Sequence, residues 1–124
     1  MATLFRRSYL NIMKASTAFL LISFLFGLSL TAHASDVTWN GNGSDNLASN
    51  AINWAGGTVP QDGDSIILDS TATKDCLWDI YITPSSLSLR SGYSGTMTLV
   101  SELTVEGSVS VLDGILRQNN RNFK

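Results

Sequence analysis

The chain has 124 residues, ten acids against eight lysines and arginines, one histidine and one cysteine. A single cysteine makes no intrachain disulfide, and one cysteine with one histidine excludes the usual zinc sites and the Ser-His-Asp and Cys-His triads. An acidic chain without a basic patch is also a poor partner for nucleic acid, because it cannot neutralise phosphates.

The first stretch reads as an address and not as fold. Arg6, Arg7 and Lys14 precede an uncharged apolar run from Ala18 to Leu30, and Thr31-Ala32-His33-Ala34 follows. A basic start, a short apolar middle and an A-x-A site define a secretory signal peptide, cut between Ala34 and Ser35. The apolar run is shorter than the roughly 20 residues of a spanning helix. The strongly hydrophobic run suits the general secretory route, and Arg6-Arg7-Ser8-Tyr9-Leu10, an imperfect twin-arginine signal, is the alternative. The expected division is a signal peptide at 1–34, a folded segment at 35–117 and a polar tail, without order, at 118–124. The 90 residues beyond Ala34 hold all ten acids and five of the eight bases, a formal charge of −5. The expected location is the periplasm, the outer surface or the extracellular space, with no membrane span in the mature chain.

After Ser35, Val37 and Trp39 alternate with polar residues and begin a strand. A Gly/Asn loop at 41–46 follows, then a possible helical turn at 47–53 capped by Ser44 or Asp45, too short to stand alone. Trp54, a Gly56-Gly57 turn, the extended Val59-Pro60 step and an Asp62-Gly63-Asp64 corner lead into the strand Ser65–Leu68. A second apolar strand is expected at Cys76–Ile82, ended by Pro84. Beyond it the period is two: Leu87/Leu89, Met97/Leu99, Leu103/Val105, Val109/Val111 and a start at Ile115-Leu116, separated by glycine-centred corners. Strands this short, with Ser and Thr outward and no two-residue hairpin turns, favour a parallel solenoid. A small antiparallel β-sandwich is the alternative.

The segment W-N-G-N-G … A-S-N-A-I-N-W-A-G-G-T-V-P-Q-D-G-D-S-I-I-L, with L-S-L-R-S-G-Y-S-G-T-M-T-L-V-S-E-L-T-V-E-G-S-V-S-V-L-D-G-I-L after it, resembles the N-terminal opening of large secreted bacterial β-helix proteins. These are autotransporter-like and filamentous-haemagglutinin-like surface proteins with a pectin-lyase-like fold. The resemblance implies an all-β chain: the N-terminal cap and first few rungs of a right-handed parallel β-solenoid. Such proteins run for many hundreds of residues, so the resemblance also suggests a truncated member.

Trp39, Trp54, Pro60, Gly63 and Asp64 are read as the structural cap, with Trp39 and Trp54 stacked as a plug. The competing reading gives Trp39, Trp54, Trp78, Tyr81 and Tyr93 to a sugar-stacking surface. Asp62, Asp64, Asp69 and Asp45 are expected to accept backbone N–H groups at corners, the alternative being a Ca²⁺ site without a matching motif. Glu102 and Glu106 are expected to face solvent, and Cys76 to be a buried small hydrophobe. No cofactor, metal or catalytic residue is expected. The function this supports is a structural or adhesion-type surface protein, or a fragment of one, without catalysis. Its partners would be further rungs or a second copy at the open C-terminal edge, or a surface glycan or protein. A glycan-binding domain using exposed tryptophans, and the remnant of a polysaccharide-degrading enzyme, are the alternatives.

Overall fold

A computed structural model describes residues 34–124. The expected signal peptide, 1–34, lies outside the described residues except for Ala34, which with Ser35 is exposed. The described residues are all β. Seven short strands are β1 (Asp36–Trp39), β2 (Ser65–Leu68), β3 (Cys76–Trp78), β4 (Ser86–Leu89), β5 (Thr96–Leu99), β6 (Val109–Val111) and β7 (Ile115–Arg117). One 3-10 turn, Ala51–Asn53, is the only helical element among them.

The strands form two sheets, ordered β1-β2-β4-β6 and β3-β5-β7. All five strand pairs are parallel. The antiparallel sandwich is thereby overturned. Its physical reason lies in the corners: after β2 the chain does not double back but enters the other sheet as β3, then returns as β4 one strand further along. Ser65 aligns with Ser86 and Cys76 with Met97, so both sheets advance by 21 residues in this circuit.

Register keeps like over like. Leu87 lies over Ile66 and Leu89 over Leu68, while Ser86 lies over Ser65. Leu87 and Leu89 are fully buried and Ser86 and Ser88 only partly, because successive side chains point to opposite faces of a strand. Met97 and Leu99 of β5 repeat the pattern over Cys76 and Trp78. The two inner faces share one core, built around Trp39, Trp54, Trp78, Leu87, Leu89, Met97 and Leu99. Each buried large apolar side chain contributes about 1.5–3 kcal/mol relative to exposure.

Three expectations need correction. The strand expected at Cys76–Ile82 ends at Trp78. The helical turn is only the 3-10 turn at Ala51–Asn53, capped by Asn50 in place of Ser44 or Asp45, because the Asp45 carboxylate is engaged elsewhere. The tail is not free chain. Phe123 bridges Leu103 in parallel, Asn122 O accepts the Leu103 N–H at 3.1 Å, and Lys124 O accepts the Val105 N–H at 2.8 Å. Leu103 and Val105 are buried under that tail without belonging to either sheet, and Glu102 and Glu106 beside them are exposed.

Aspartates join successive circuits. Asp62 accepts the Thr83 N–H, Asp75 the Thr96 N–H and Asp113 the Gly92 N–H, each at 2.7 Å. Asp79 accepts both the N–H and the hydroxyl of Ser49, at 2.8 and 2.6 Å. These carboxylates satisfy corner amides that no strand partner reaches.

Candidate functional site

Among the described residues, the first strands of the two sheets and the last strands have different surroundings. At the first end both sheet edges are covered. Asn40 N–H donates to Asn53 O and Ala55 N–H to Thr38 O, which lays residues 53–55 antiparallel along β1. Leu77 N–H donates to Asn46 O and Ala48 N–H to Leu77 O, which covers β3. A covered edge has no free backbone row to template further strands.

Trp39 and Trp54 meet edge to face, with ring centroids 5.2 Å apart and planes at 79°. Both are buried, and both indole N–H groups are used: Trp54 Nε1 donates to Ala48 O at 2.7 Å and Trp39 Nε1 to Lys74 O at 3.2 Å. Tyr93 sends its hydroxyl to the same Lys74 carbonyl, at 3.1 Å, and burial pushes its phenol well above the usual range. Trp78 is buried too, its Nε1 without a partner among the described residues. Of the aromatics considered for sugar stacking, only Tyr81 is exposed. The tryptophans therefore offer no indole face to a glycan.

The Gly/Asn loop is held by Asn53, a residue that strand and turn patterns do not single out. Its side chain is fully buried. Oδ1 accepts the Gly43 N–H at 2.7 Å, and Nδ2 donates to Asp45 O, Asp45 Oδ1 and Leu47 O at 3.0–3.2 Å. Lys74 Nζ donates to Gly43 O at 2.7 Å. The Asn50 amide, followed by the Leu47 N–H, holds the Asp45 carboxyl below the usual carboxylate range. Gly43 is required by proximity: a Cβ there would stand 2.6 Å from Asn53 Oδ1.

Pro60, Gly63 and Asp64 form the other part of the expected cap. Pro60 is buried, and Gly63 takes φ +84° while its N–H donates to Thr83 O at 2.9 Å. Asp64 is 8% exposed. Its Oδ2 accepts the Gln61 N–H at 2.8 Å, and its Oδ1 accepts the Ser35 N–H at 3.1 Å and the Ser35 hydroxyl at 3.0 Å. Burial alone would raise this carboxyl, but the donors outweigh it and hold it below the ordinary value. Ser35, Asp36, Val37, Val59, Asp62 and Asp64 all line one open concavity of about 440 Å³.

The aspartates considered for Ca²⁺ are occupied in this way. Asp69 accepts the Thr71 hydroxyl and N–H, at 2.7 and 2.9 Å, which lowers its carboxyl. Asp45, Asp62 and Asp64 likewise accept N–H groups, and no group of three metal-ligating side chains converges among the described residues. Cys76, in β3, is buried as expected, and desolvation pushes its thiol far up, which disfavours the reactive thiolate. No helix among the described residues is long and apolar enough to cross a membrane.

The last end is open. Val109 and Val111 stand in register with Leu87 and Leu89, and Leu116 with Met97, so they continue the core positions. Yet Val109 is 40% and Val111 46% exposed, against 0% for Leu87 and Leu89. Leu112 and Ile115 beside them are 69% and 53% exposed. Phe123, bridged to Leu103, is half-buried against the same core.

Comparison with known proteins finds no match to this chain among family models, curated proteins or solved structures.

Proposed function

We propose that residues 35–117 are the N-terminal cap and first coils of a right-handed parallel β-solenoid, belonging to an exported structural or adhesion-type surface protein without catalysis of its own. The observation that carries this reading is the contrast between the two ends. One end is covered on both sheets and filled by Trp39 and Trp54, and the other presents Val109, Val111 and Leu116 in line with the core. Each coil is a poor fold alone, because its apolar face is buried only by its neighbours. Parallel crossovers of this kind are right-handed in nearly all sheets. The resemblance at Trp39–Leu68 to secreted β-helix surface proteins supports the same reading, as does the export signal ahead of Ser35.

In this account the stack is a stiff support and its last coil is the contact surface, on which a further coil or a second copy seats. Sedimentation of the exported chain over a range of concentrations tests it. Association that rises with concentration, and is lost in Val111→Lys while the circular dichroism stays unchanged, is expected. A strict monomer at every concentration, with the same β spectrum, contradicts a contact role for this edge.

A further inference from the structure

Two separate features meet on Ser35, the first residue of the folded segment. The A-x-A site makes Ser35 the first residue left after signal removal. The fold puts the Ser35 nitrogen 3.1 Å from Asp64 Oδ1, with the Ser35 hydroxyl 3.0 Å from the same oxygen. From these we infer that Asp64 is a receptor site for the chain's own α-ammonium, created when the signal is cut. The inference rests on the export reading above and adds to it a consequence of processing.

The chemistry of the step is simple. Hydrolysis breaks the Ala34–Ser35 C–N bond. Water supplies the hydroxyl that completes the Ala34 carboxyl group and the proton that makes Ser35 nitrogen an amine. At neutral pH the Ala34 carboxyl gives up its proton and the amine gains one from solvent. A neutral amide donor with one N–H thus becomes a cation with three, at a place already within hydrogen-bonding distance of a carboxylate. The carboxylate already accepts a charge-assisted bond from the amide, and cleavage makes the donor a cation as well, turning a hydrogen bond into an ion pair.

The surroundings suit a cation. Among the described residues, the concavity beside Ser35 is lined by Asp36, Asp62 and Asp64 and by no lysine or arginine. Of the three acids, Asp62 already accepts the Thr83 N–H, and Asp36 belongs to β1 itself. Asp64 is the most enclosed, and its second oxygen is fixed by the Gln61 N–H. Ser35 is held from its other side as well, since its carbonyl accepts the Ser65 N–H at 2.8 Å. The ammonium would therefore arrive positioned, at the point where β1 enters its pairing with β2. Before cleavage the same atoms make an amide-to-carboxylate hydrogen bond; removal of the signal adds the attraction of a full positive charge to it and so strengthens the first strand pair.

The test uses the full chain, expressed with its N-terminal segment in a secreting bacterium and purified as the cell leaves it. Intact mass and N-terminal sequencing establish the first residue. A chain that keeps Met1 overturns the export reading and this inference with it, whereas a processed chain whose first residue is not Ser35 overturns this inference alone. With Ser35 first, the α-amine is titrated by its rate of reaction with an amine-selective reagent as pH varies. An ordinary α-amine titrates near 7.7–8.0. The inference expects the midpoint to lie about one unit higher in the wild type, to return to the ordinary range in Asp64→Asn, and to stay raised in Asp62→Asn and Ser35→Ala. A wild-type midpoint in the ordinary range overturns the inference and leaves the export reading standing. That wild-type measurement decides the matter even where Asp64→Asn fails to fold.

Discussion

Asn53→Ala is the perturbation that probes the closed end most sharply. The substitution removes the acceptor of the Gly43 N–H and the donor to Leu47 O, both beside a side chain with no exposure to solvent. Leaving a buried polar group unpaired costs about 1–3 kcal/mol, and two such groups with partial rehydration give about 3 kcal/mol in total. For a domain of this size the dependence on urea is of order 1–3 kcal/mol per molar, so the midpoint should fall by about 2 M. Asn50→Ala, which removes the cap on the Ile52 N–H, should cost about 1 kcal/mol. Gly43→Ala supplies a second, independent check. Its new Cβ would fall 2.6 Å from Asn53 Oδ1 and 2.8 Å from Asn50 Nδ2, so alone it should destabilise strongly. In the Asn53→Ala background the closest obstacle is gone, and the two changes should be clearly less than additive. Urea unfolding followed by tryptophan emission measures all four chains. A loss under 1 kcal/mol for Asn53→Ala, or strict additivity with Gly43→Ala, would refute the role given to Asn53.

Three further outcomes follow from the same structure. Asp45, Asp64 and Asp69 have folded values below their unfolded value of about 3.8, so their contribution is complete above about pH 4 and is lost as pH falls through the lowered values; melting temperature should decline below pH 4, and less steeply in Asp69→Asn. Tryptophan emission should be blue-shifted and resistant to acrylamide in the native chain, since Trp39, Trp54 and Trp78 are all buried; ready quenching would contradict that burial. Cys76 should react with a thiol reagent at neutral pH only after unfolding, and labelling of the native protein on the time scale of a free thiol would show that β3 opens.

Much of the β framework was legible because its cause is local. Leu87/Leu89 and Met97/Leu99 alternate with Ser and Thr, and alternation alone assigns their faces. Trp39 and Trp54 were legible as core because indoles this large are seldom left exposed in a chain with so little apolar surface to spare. What sequence could not supply was pairing across distance. Leu103 and Val105 carry the same alternation as β4 yet join neither sheet, because their neighbour is the polar tail, whose only apolar residue is Phe123. Asn53 could not be distinguished from the other asparagines of its loop, since its importance comes from the approach of Gly43, ten residues away. The aspartates were readable as corner residues, but the 21-residue step that lets Asp62, Asp75 and Asp113 reach an adjacent circuit appears only once the register is known. The exposed layer, likewise, is a matter of alignment: Val109 and Val111 have the same pattern as Leu87 and Leu89, and differ in that no further strand pairs with β6 among the described residues.

The most direct test of a parallel stack, closed at its start and open at its end, is amide hydrogen exchange resolved by residue. The account predicts the slowest exchange at amides that cross between the earlier circuits: Ser65 to Ser35 O and Arg90 to Leu68 O. It predicts faster exchange along β6 and β7 at the open end, and fastest at the exposed Gly56 corner. Exchange at Ser65 and Arg90 as rapid as at Gly56, or protection greatest at Val109–Val111, would contradict it.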